Sequence, residues 1–376
     1  DKKIELLAKA YAKGHQAYET QPEAKKEMSH LNQQIYDQDK QILNLWQETR
    51  GWSLDYFAQI YQRLGTKFDR FYFESQMAQP GQKIVQANLK KGIFQKSEGA
   101  IIFPGAKYGL HNRVFINQQG LPTYEAKDLA LAKQQMADFS PQRILHVVGP
   151  EQSGYFEVVF KALEKIMPKI SGREQHLLYG WVRLKNGKMS SRTGQVVLGE
   201  WLLNEVKKRL KRKFKTTEKV AEVVAVGAVK YSLLKFSPLS EIAFDIEESI
   251  NLEGNSGPYL QYTFARCQSV LEKAQVEKFS FNPSNLHLKP EEVALLRTIY
   301  KFPEVVLEAG ASFAPNLIGN FLFDLAQKYN LFYNLHPILK ADRHESRHFR
   351  LLLTKAVGQV IKNGLNLLGV EAPEKM

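Results

Sequence analysis

Residues 128 to 167 alternate between helical and extended patterning, and this alternation limits the possible folds more than any other feature of the chain. DLALAKQQMADF has helical spacing, RILHVV is a short apolar run that ends at Gly149-Pro150, and YFEVVFKALEKIM is helical again. A helix, a buried strand and a second helix are typical of a parallel α/β sheet. Because ligands of such sheets bind beyond the carboxyl ends of the strands, the loop from Gly149 to Gly154 is predicted to line a binding site.

The segments on either side of this unit have different patterns. Residues 1 to about 90 predict helices, and residues 92 to 125 hold short β-rich runs broken by Pro-Gly and Gln-Gly, as in a hairpin or small meander. HLLYGWVRLKNG predicts one strand with a turn at Asn186-Gly187. From about residue 220 onwards, apolar residues recur at steps of three and four, which predicts a helical bundle. The expected fold class is α/β followed by all-α.

The charge of the chain indicates a polyanionic partner. The 376 residues carry 52 Lys plus Arg against 39 Asp plus Glu, a formal net charge of +13. Nucleic acid is favoured over a membrane, because no apolar run approaches the roughly 20 residues that a spanning helix needs. Cys267 is the only cysteine, so neither an intrachain disulfide nor a cysteine-based zinc site is possible, and we expect a reducing, cytoplasmic setting and no protein-bound metal.

The basic charge is concentrated in one predicted helix. Seven of the nine residues from Lys207 to Lys215 are basic. The commonest role of such a run is a solvated helix face, so no base contacts are predicted from it. It still places positive potential next to the segment that precedes it.

That preceding segment, GKMSSRTG at residues 187 to 194, combines two cations, three hydroxyls and two glycines. This composition suits a loop that handles phosphate, although a polar surface turn is the alternative. The chain has no GxGxxG, and its nearest approach to a Walker A motif has the wrong glycine spacing, which argues against dinucleotide-binding and NTPase functions. In phosphate chemistry, cations and hydroxyl donors that meet negative charge as it builds favour the transition state over the ground state.

GKMSSRTG resembles the KMSKS signature of class I aminoacyl-tRNA synthetases, and other stretches point to one member of that class. LPTYEAKDLALA, HVVGPEQSGYF, VGAVKYSLLK, FDIEESINLEGNSGPYLQYTFARCQSVL and NGLNLLGVEAPEKM are all similar to arginyl-tRNA synthetases. The resemblance implies a partial Rossmann-like class I catalytic domain with an insertion, followed by a helical anticodon-binding bundle. It divides the chain into an insertion at residues 1–120, the second half of the catalytic domain at 121–219, and a helical stem-contact and anticodon-binding domain at 220–376.

The family's activity is the attachment of arginine to its tRNA through an arginyl-adenylate, so the resemblance implies ATP with Mg²⁺, L-arginine and arginine tRNA as substrates and partners of a monomer. In the KMSKS-type loop, Ser191 stands where a second lysine is usual, and Arg192 is a candidate to supply the missing charge. The residues implied for catalysis are Lys188, Ser190, Ser191 and Arg192, and those implied for ATP binding are Gly187, Lys188 and Met189.

Three positions match those that hold the substrate arginine in the family: Tyr124, Asp128 and Gln152. Tyr124 and Asp128 are four residues apart and share a helix face, from which a carboxylate can pair with a guanidinium. The alternatives are a helix N-cap for Asp128 and turn hydrogen bonds for the amide of Gln152.

Four positions match those that contact anticodon bases in the family: Tyr262, Arg266, Tyr329 and Met376. Aromatic stacking together with a guanidinium is a usual way to hold single-stranded bases. The alternatives are core packing for Tyr329 and a frayed terminus for Met376.

The second class I signature, HIGH, has no counterpart in these 376 residues. We therefore expect this chain to be the larger C-terminal part of an arginyl-tRNA synthetase and not to form arginyl-adenylate alone. The main rival hypothesis is a non-catalytic tRNA-binding module derived from a synthetase. A small nucleotidyltransferase or pantothenate-synthetase-like ligase does not account for the long helical section, and a cysteinyl-type enzyme would be expected to bring zinc-binding cysteines.

Overall fold

The computed structural model describes residues 2–185, 199–275 and 286–376. The first section is helical, as predicted, although none of the residues in its first three helices is fully buried. Helix α2 starts with proline in its first turn, and the Asp39 carboxylate caps α3 by accepting a hydrogen bond from the backbone of Gln41. The helices are α1 (Lys2–Thr20), α2 (Pro22–Tyr36), α3 (Lys40–Arg63) and α4 (Glu74–Leu89).

The predicted meander is a three-stranded antiparallel sheet. Its strands are β1 (Gln95–Ser97), β2 (Ala100–Phe103) and β3 (Arg113–Ile116), in the order β1-β2-β3. Glu98 and Gly99 join β1 to β2, and both have positive φ angles, of 49° and 80°, as a tight two-residue hairpin turn requires. The sheet contributes Phe103 and Phe115 to a core that it shares with the helices on either side.

The predicted helix–strand–helix unit is present. Helix α5 (Tyr124–Phe139) leads to β4 (Ile144–Val148) and α6 (Ser153–Ile166), and β4 pairs in parallel with β5 (Glu174–Leu178). The loop between β4 and α6 lies at the carboxyl end of β4, where a binding site was expected.

The prediction of one strand after residue 175 is wrong, because the chain changes sheet at Gly180. A Cβ atom at Gly180 would lie 2.1 Å from the carbonyl oxygen of Ser240, so only glycine allows this close approach. Beyond it, β6 (Val182–Leu184) pairs in parallel with β7 (Ile242–Phe244). The β7 strand is also the exception to the prediction that everything after residue 220 is helical.

The largest core belongs to the C-terminal helices, and it confirms the predicted bundle. Residues such as Leu260, Leu322 and Val357 are fully buried between facing helices. The remaining helices are α7 (Gly199–Lys213), α8 (Glu218–Leu234), the short α9 (Ile246–Ser249), α10 (Gly257–Ala274), α11 (Pro290–Ser312), α12 (Pro315–Leu335) and α13 (His344–Leu367).

Candidate functional sites

Tyr124 and Asp128 lie on the first two turns of α5. Thr123 occupies the N-cap position of this helix, and Asp128 lies inside the helix, so the alternative role of Asp128 as an N-cap is wrong. The Thr123 hydroxyl donates to the carbonyl of Val114 over 2.7 Å. The Tyr124 side chain is exposed, at 64% of its full area, whereas Asp128 is half-buried. The Tyr124 ring therefore faces solvent, and the Asp128 carboxylate next to it is less accessible.

The Asp128 carboxylate has a phenol as its hydrogen-bond donor. The hydroxyl of Tyr155, on α6, donates to Asp128 Oδ2 over 2.6 Å. In the described part of the chain, Asp128 makes no salt bridge. Burial raises the pKa of Asp128 above its usual range, and the nearby Glu125 and Glu74 add to this effect, while Tyr155 and His146 oppose it. This carboxylate is therefore a partly desolvated anion without a paired cationic side chain in the described residues, which favours the binding of a cation.

A buried lysine fixes the neighbourhood of Tyr124. The ammonium of Lys127 lies 5.1 Å from the centre of the Tyr124 ring and 5.5 Å from that of Tyr36, at the end of α2. It also donates to Glu74 Oε2 over 2.9 Å. These contacts bring α2 and α4 against the start of α5, so the N-terminal helices border the Asp128 site.

Gln152 lies in the short 3₁₀ turn Pro150–Gln152 that follows β4. Its side chain is exposed, and within the described ranges no hydrogen bond to its amide is present, so the alternative of turn bonds is not observed. The next residue, Ser153, has its hydroxyl 3.3 Å from His176 Nε2 on β5. Because Tyr155 follows in the same helix, the β4–α6 loop is tied to the Asp128 site.

The residues predicted to handle ATP lie outside the described residues: Gly187, Lys188, Met189, Ser190, Ser191 and Arg192. The flanking chain is described. On its upstream side, Lys185 Nζ lies 3.0 Å from Asp245 Oδ2, next to β7, and on the downstream side α7 begins at Gly199.

Four of the seven basic side chains in the run at the end of α7 pair with acidic side chains in the described residues. Lys207 pairs with Glu218 and Glu222. Arg209 pairs with Glu205 and with Glu247, which lies on α9. Hydrogen bonds from two lysines of this run lower the pKa of Glu218 to about 2. The run therefore contributes to local ion pairing as well as to positive potential, as the solvated-face alternative implies.

A cleft of about 780 Å³ opens at one end of the bundle, and Tyr262, Arg266 and Met376 line it. The guanidinium carbon of Arg266 lies 4.8 Å from the ring centres of both Tyr262 and Tyr333. Arg266 Nη1 donates to Asn330 Oδ1 over 2.5 Å, and Nη2 donates to the Tyr262 hydroxyl over 3.3 Å. The cleft thus presents a cation between two partly exposed rings, which suits unstacked nucleic-acid bases.

Tyr329 does not line this cleft. Its side chain is fully buried in the bundle core, which is the packing alternative considered for it, and its role at the anticodon stays a prediction. Tyr333, one turn later on α12, is 39% exposed and contacts Arg266 instead. Sequence reasoning missed Tyr333, and the only available signal was its spacing of four residues from Tyr329.

In the described parts of the chain, no helix is both long and apolar enough to cross a membrane. Across the same residues, no three His, Cys, Asp or Glu side chains are placed to hold a metal ion together.

Comparison with known families finds a match for both parts of the chain. Residues 1–246 match the family described as tRNA synthetases class I (R), catalytic domain, and residues 260–376 match the DALR anticodon binding domain. The catalytic half makes the protein a class I aminoacyl-tRNA synthetase by family. Within that class, the chain belongs to the arginyl-tRNA synthetase family.

Known relatives agree with this assignment. The chain is 35% identical over 348 residues to the arginine–tRNA ligase of Flavobacterium psychrophilum, covering 89% of this chain and 58% of that protein. It is 33% identical over 353 residues to the arginine–tRNA ligase of Porphyromonas gingivalis, covering 90% of this chain and 59% of that protein. The chain therefore spans about three fifths of the length of these curated relatives.

Solved structures share the fold. The Thermus thermophilus arginyl-tRNA synthetase superposes with a TM-score of 0.81 at 27% identity, over 98% of this chain and 69% of that one. The Plasmodium falciparum arginyl-tRNA synthetase gives a TM-score of 0.79 over 94% of this chain and 62% of that one, and at 22% identity this likeness concerns the fold alone.

Proposed function

We propose that this chain takes part in the ATP-dependent attachment of arginine to its cognate tRNA through an arginyl-adenylate. The observation that carries the proposal is the Asp128 carboxylate, which is half-buried, accepts a hydrogen bond from a neutral phenol and makes no salt bridge within the described residues. A partly desolvated carboxylate of this kind is suited to a guanidinium, which can offer two parallel N–H donors.

Tyr124 and Gln152 join Asp128 in the proposed arginine pocket. The exposed ring of Tyr124 is a flat surface beside Asp128, and guanidinium groups stack on such surfaces. The exposed amide of Gln152, at the carboxyl end of β4, is available to hydrogen-bond the substrate. Together the three side chains would hold arginine where parallel sheets of this kind bind their ligands.

The proposed roles at ATP rest on the family resemblance of residues 187 to 192. Lys188 and Arg192 would neutralise the departing pyrophosphate, and Ser190 and Ser191 would donate hydrogen bonds to it, while Gly187 and Met189 would contribute to ATP binding. The arginine carboxylate attacks the α-phosphorus of ATP, which enters with Mg²⁺ as a substrate complex, and pyrophosphate leaves. A terminal ribose hydroxyl of the tRNA then attacks the adenylate carbonyl, and AMP leaves.

The bundle cleft is the proposed site for anticodon bases of arginine tRNA. Tyr262 and Tyr333 would stack on bases, Arg266 would supply a cation, and Met376 an apolar edge. The protein would work in the cytoplasm as a monomer. The domain divisions at residues 120 and 219 stay predictions.

We further propose that this chain alone does not form arginyl-adenylate. Its curated relatives are longer, and the HIGH signature is missing from its 376 residues. The chain would then retain the tRNA cleft and part of the arginine pocket without the opposing side of the ATP site. The non-catalytic tRNA-binding module considered as a rival has the same cleft but no use for the arginine pocket.

Two assays test the proposal together. Arginine-dependent exchange between pyrophosphate and ATP, with saturating arginine tRNA present, should show no turnover with this chain, and clear turnover would overturn the prediction of inactivity. Filter binding should show that the chain prefers arginine tRNA over a non-cognate tRNA at the same salt concentration. Equal binding of both tRNAs would contradict the proposed role of the bundle.

A further inference from the structure

Tyr155 is the hydroxyl donor to the carboxylate on which the arginine pocket depends. We propose that Tyr155 is a positioning residue, whose phenol holds the Asp128 carboxylate in one orientation so that it can pair with a planar guanidinium. The inference rests on the proposed function, since it concerns how the same pocket distinguishes a guanidinium from other cations.

The geometry joins two separate helices at this point. Tyr155, on α6, reaches Asp128 Oδ2 on α5 over 2.6 Å, a short distance typical of a charge-assisted O–H···O bond. The terminal torsion of an aspartate is broad, so a carboxylate without such an anchor rotates readily. Two parallel N–H donors need a carboxylate in a defined plane, whereas an ammonium does not.

Neighbouring groups fix the Tyr155 ring itself. The guanidinium carbon of Arg113, on β3, lies 5.3 Å from the ring centre, and Arg113 Nη1 donates to Glu125 Oε1 over 3.2 Å. Phe156 packs edge-on against the same ring, with centroids 5.0 Å apart. Contacts from β3, from α6 and from α5 therefore hold the Tyr155 ring in place.

A phenol suits this position because it carries no charge. The groups that act on Asp128 are Glu125 on its own helix, Glu74 on α4, His146 on β4 and the Tyr155 hydroxyl. A lysine or arginine in place of Tyr155 would orient the carboxylate equally well but would compete with the incoming guanidinium. The phenol donates one hydrogen bond and leaves the negative charge to attract the substrate.

The test compares Tyr155→Phe with a matched control, a phenol whose carboxylate acceptor lies on the same helix as Asp128. Tyr72→Phe removes another phenol–carboxylate bond of 2.6 Å, from Tyr72 to Asp138 Oδ2 near the end of α5. We expect Tyr155→Phe to weaken the binding of L-arginine to the full chain about tenfold in an NMR titration, in line with the loss of a hydrogen bond to a charged group. Tyr72→Phe should leave this affinity within about twofold of wild type.

A second readout separates positioning from a packing effect. Because the Tyr155 hydrogen bond lowers the pKa of Asp128, its loss should raise that pKa in a ¹³C titration of the side-chain carboxyl, and arginine binding should be lost at a higher pH. Tyr155→Phe keeps the ring and its contact with Arg113, so a purely structural role predicts no such change.

The outcomes are distinguishable. If wild type binds arginine, and Tyr155→Phe binds it equally with an unchanged Asp128 pKa, the positioning role is overturned while the arginine pocket stands. If wild type does not bind arginine at concentrations up to tens of millimolar, the proposed pocket fails, and the inference that rests on it fails with it.

Discussion

Replacing Arg266 with alanine is the most informative change at the proposed anticodon cleft. The guanidinium lies between two rings at 4.8 Å and donates to Asn330, so it is held in place before any ligand arrives. Stacking of a base on an aromatic ring contributes about 1–3 kcal/mol by alanine substitution, and Arg266 holds two such rings in place. We therefore expect the dissociation constant for arginine tRNA to rise at least about tenfold, which corresponds to about 1.4 kcal/mol.

The same substitution should have little effect on folding. Asn330 keeps its hydrogen bonds to the Tyr259 hydroxyl and the Thr263 hydroxyl, each 3.0 Å long, so the acceptors that lose a donor are the Asn330 carbonyl oxygen and the partly exposed Tyr262 hydroxyl. Both groups are partly accessible to water, which replaces the lost donor, so the cost to stability should stay near the lower end of the roughly 1.5–3 kcal/mol of a charged hydrogen bond. Thermal unfolding of Arg266→Ala should therefore stay close to that of wild type, and weaker tRNA binding would reflect the cleft itself.

Filter binding across a series of salt concentrations is the assay, with Arg297→Ala as the control. Arg297 is exposed on α11 and does not line the cleft, so this variant removes the same charge elsewhere in the bundle. If Arg266 contacts a phosphate, the slope of log affinity against log salt should fall by about one, whereas a base contact leaves the slope nearly unchanged. Equal tRNA affinity of wild type, Arg266→Ala and Arg297→Ala would refute the reasoning.

Two further predictions concern stability. Burial raises the pKa of Glu222, but hydrogen bonds from Arg63 and Lys207 outweigh it and hold that pKa below its ordinary value. The ionised carboxylate therefore stabilises the fold at neutral pH, and this contribution is lost as the pH falls below about 4.3 and through the lowered folded-state pKa. The melting temperature of wild type should drop over that range more than that of Glu222→Gln, and parallel pH profiles would contradict the assignment. Gly257→Ala should lower the urea midpoint, because its Cβ would lie 2.5 Å from the carbonyl oxygen of Gly227. The expected loss in the free energy of unfolding is about 1–3 kcal/mol. An unchanged midpoint would show that α8 and α10 can move apart without cost.

The elements with strong periodicity could be predicted from the sequence. Helices α5 and α6, strand β4 and the apolar stripe of Leu260, Phe264 and Cys267 all follow from local spacing, and each is where the pattern indicates. These features depend on residues close together in the chain, so local patterning is sufficient to find them.

The features that sequence reasoning missed depend on distant parts of the chain. Strand β7 has three residues and exists because β6 offers it a partner, and the change of sheet at Gly180 depends on the backbone of Ser240. The hydrogen bond from Tyr155 to Asp128 joins two helices and has no local signature.

The cleft in the helical bundle shows the same limit. Tyr329 and Tyr333 share a helix and a spacing of four, but the Tyr329 ring is buried in the bundle core whereas the Tyr333 ring is partly exposed. Helical periodicity identifies a face and does not reveal where the neighbouring helices stop covering it. Spacing alone therefore could not indicate that Tyr333, and not Tyr329, lines the cleft.

The most direct test of the account is the affinity of the chain for L-arginine in wild type and in Asp128→Asn. Loss of the charged partner of a half-buried guanidinium pair should cost about 2 kcal/mol, so the dissociation constant should rise about 30-fold while tRNA affinity is unchanged. If Asp128→Asn binds arginine as well as wild type does, or if neither binds it, the arginine pocket proposed for this chain is contradicted.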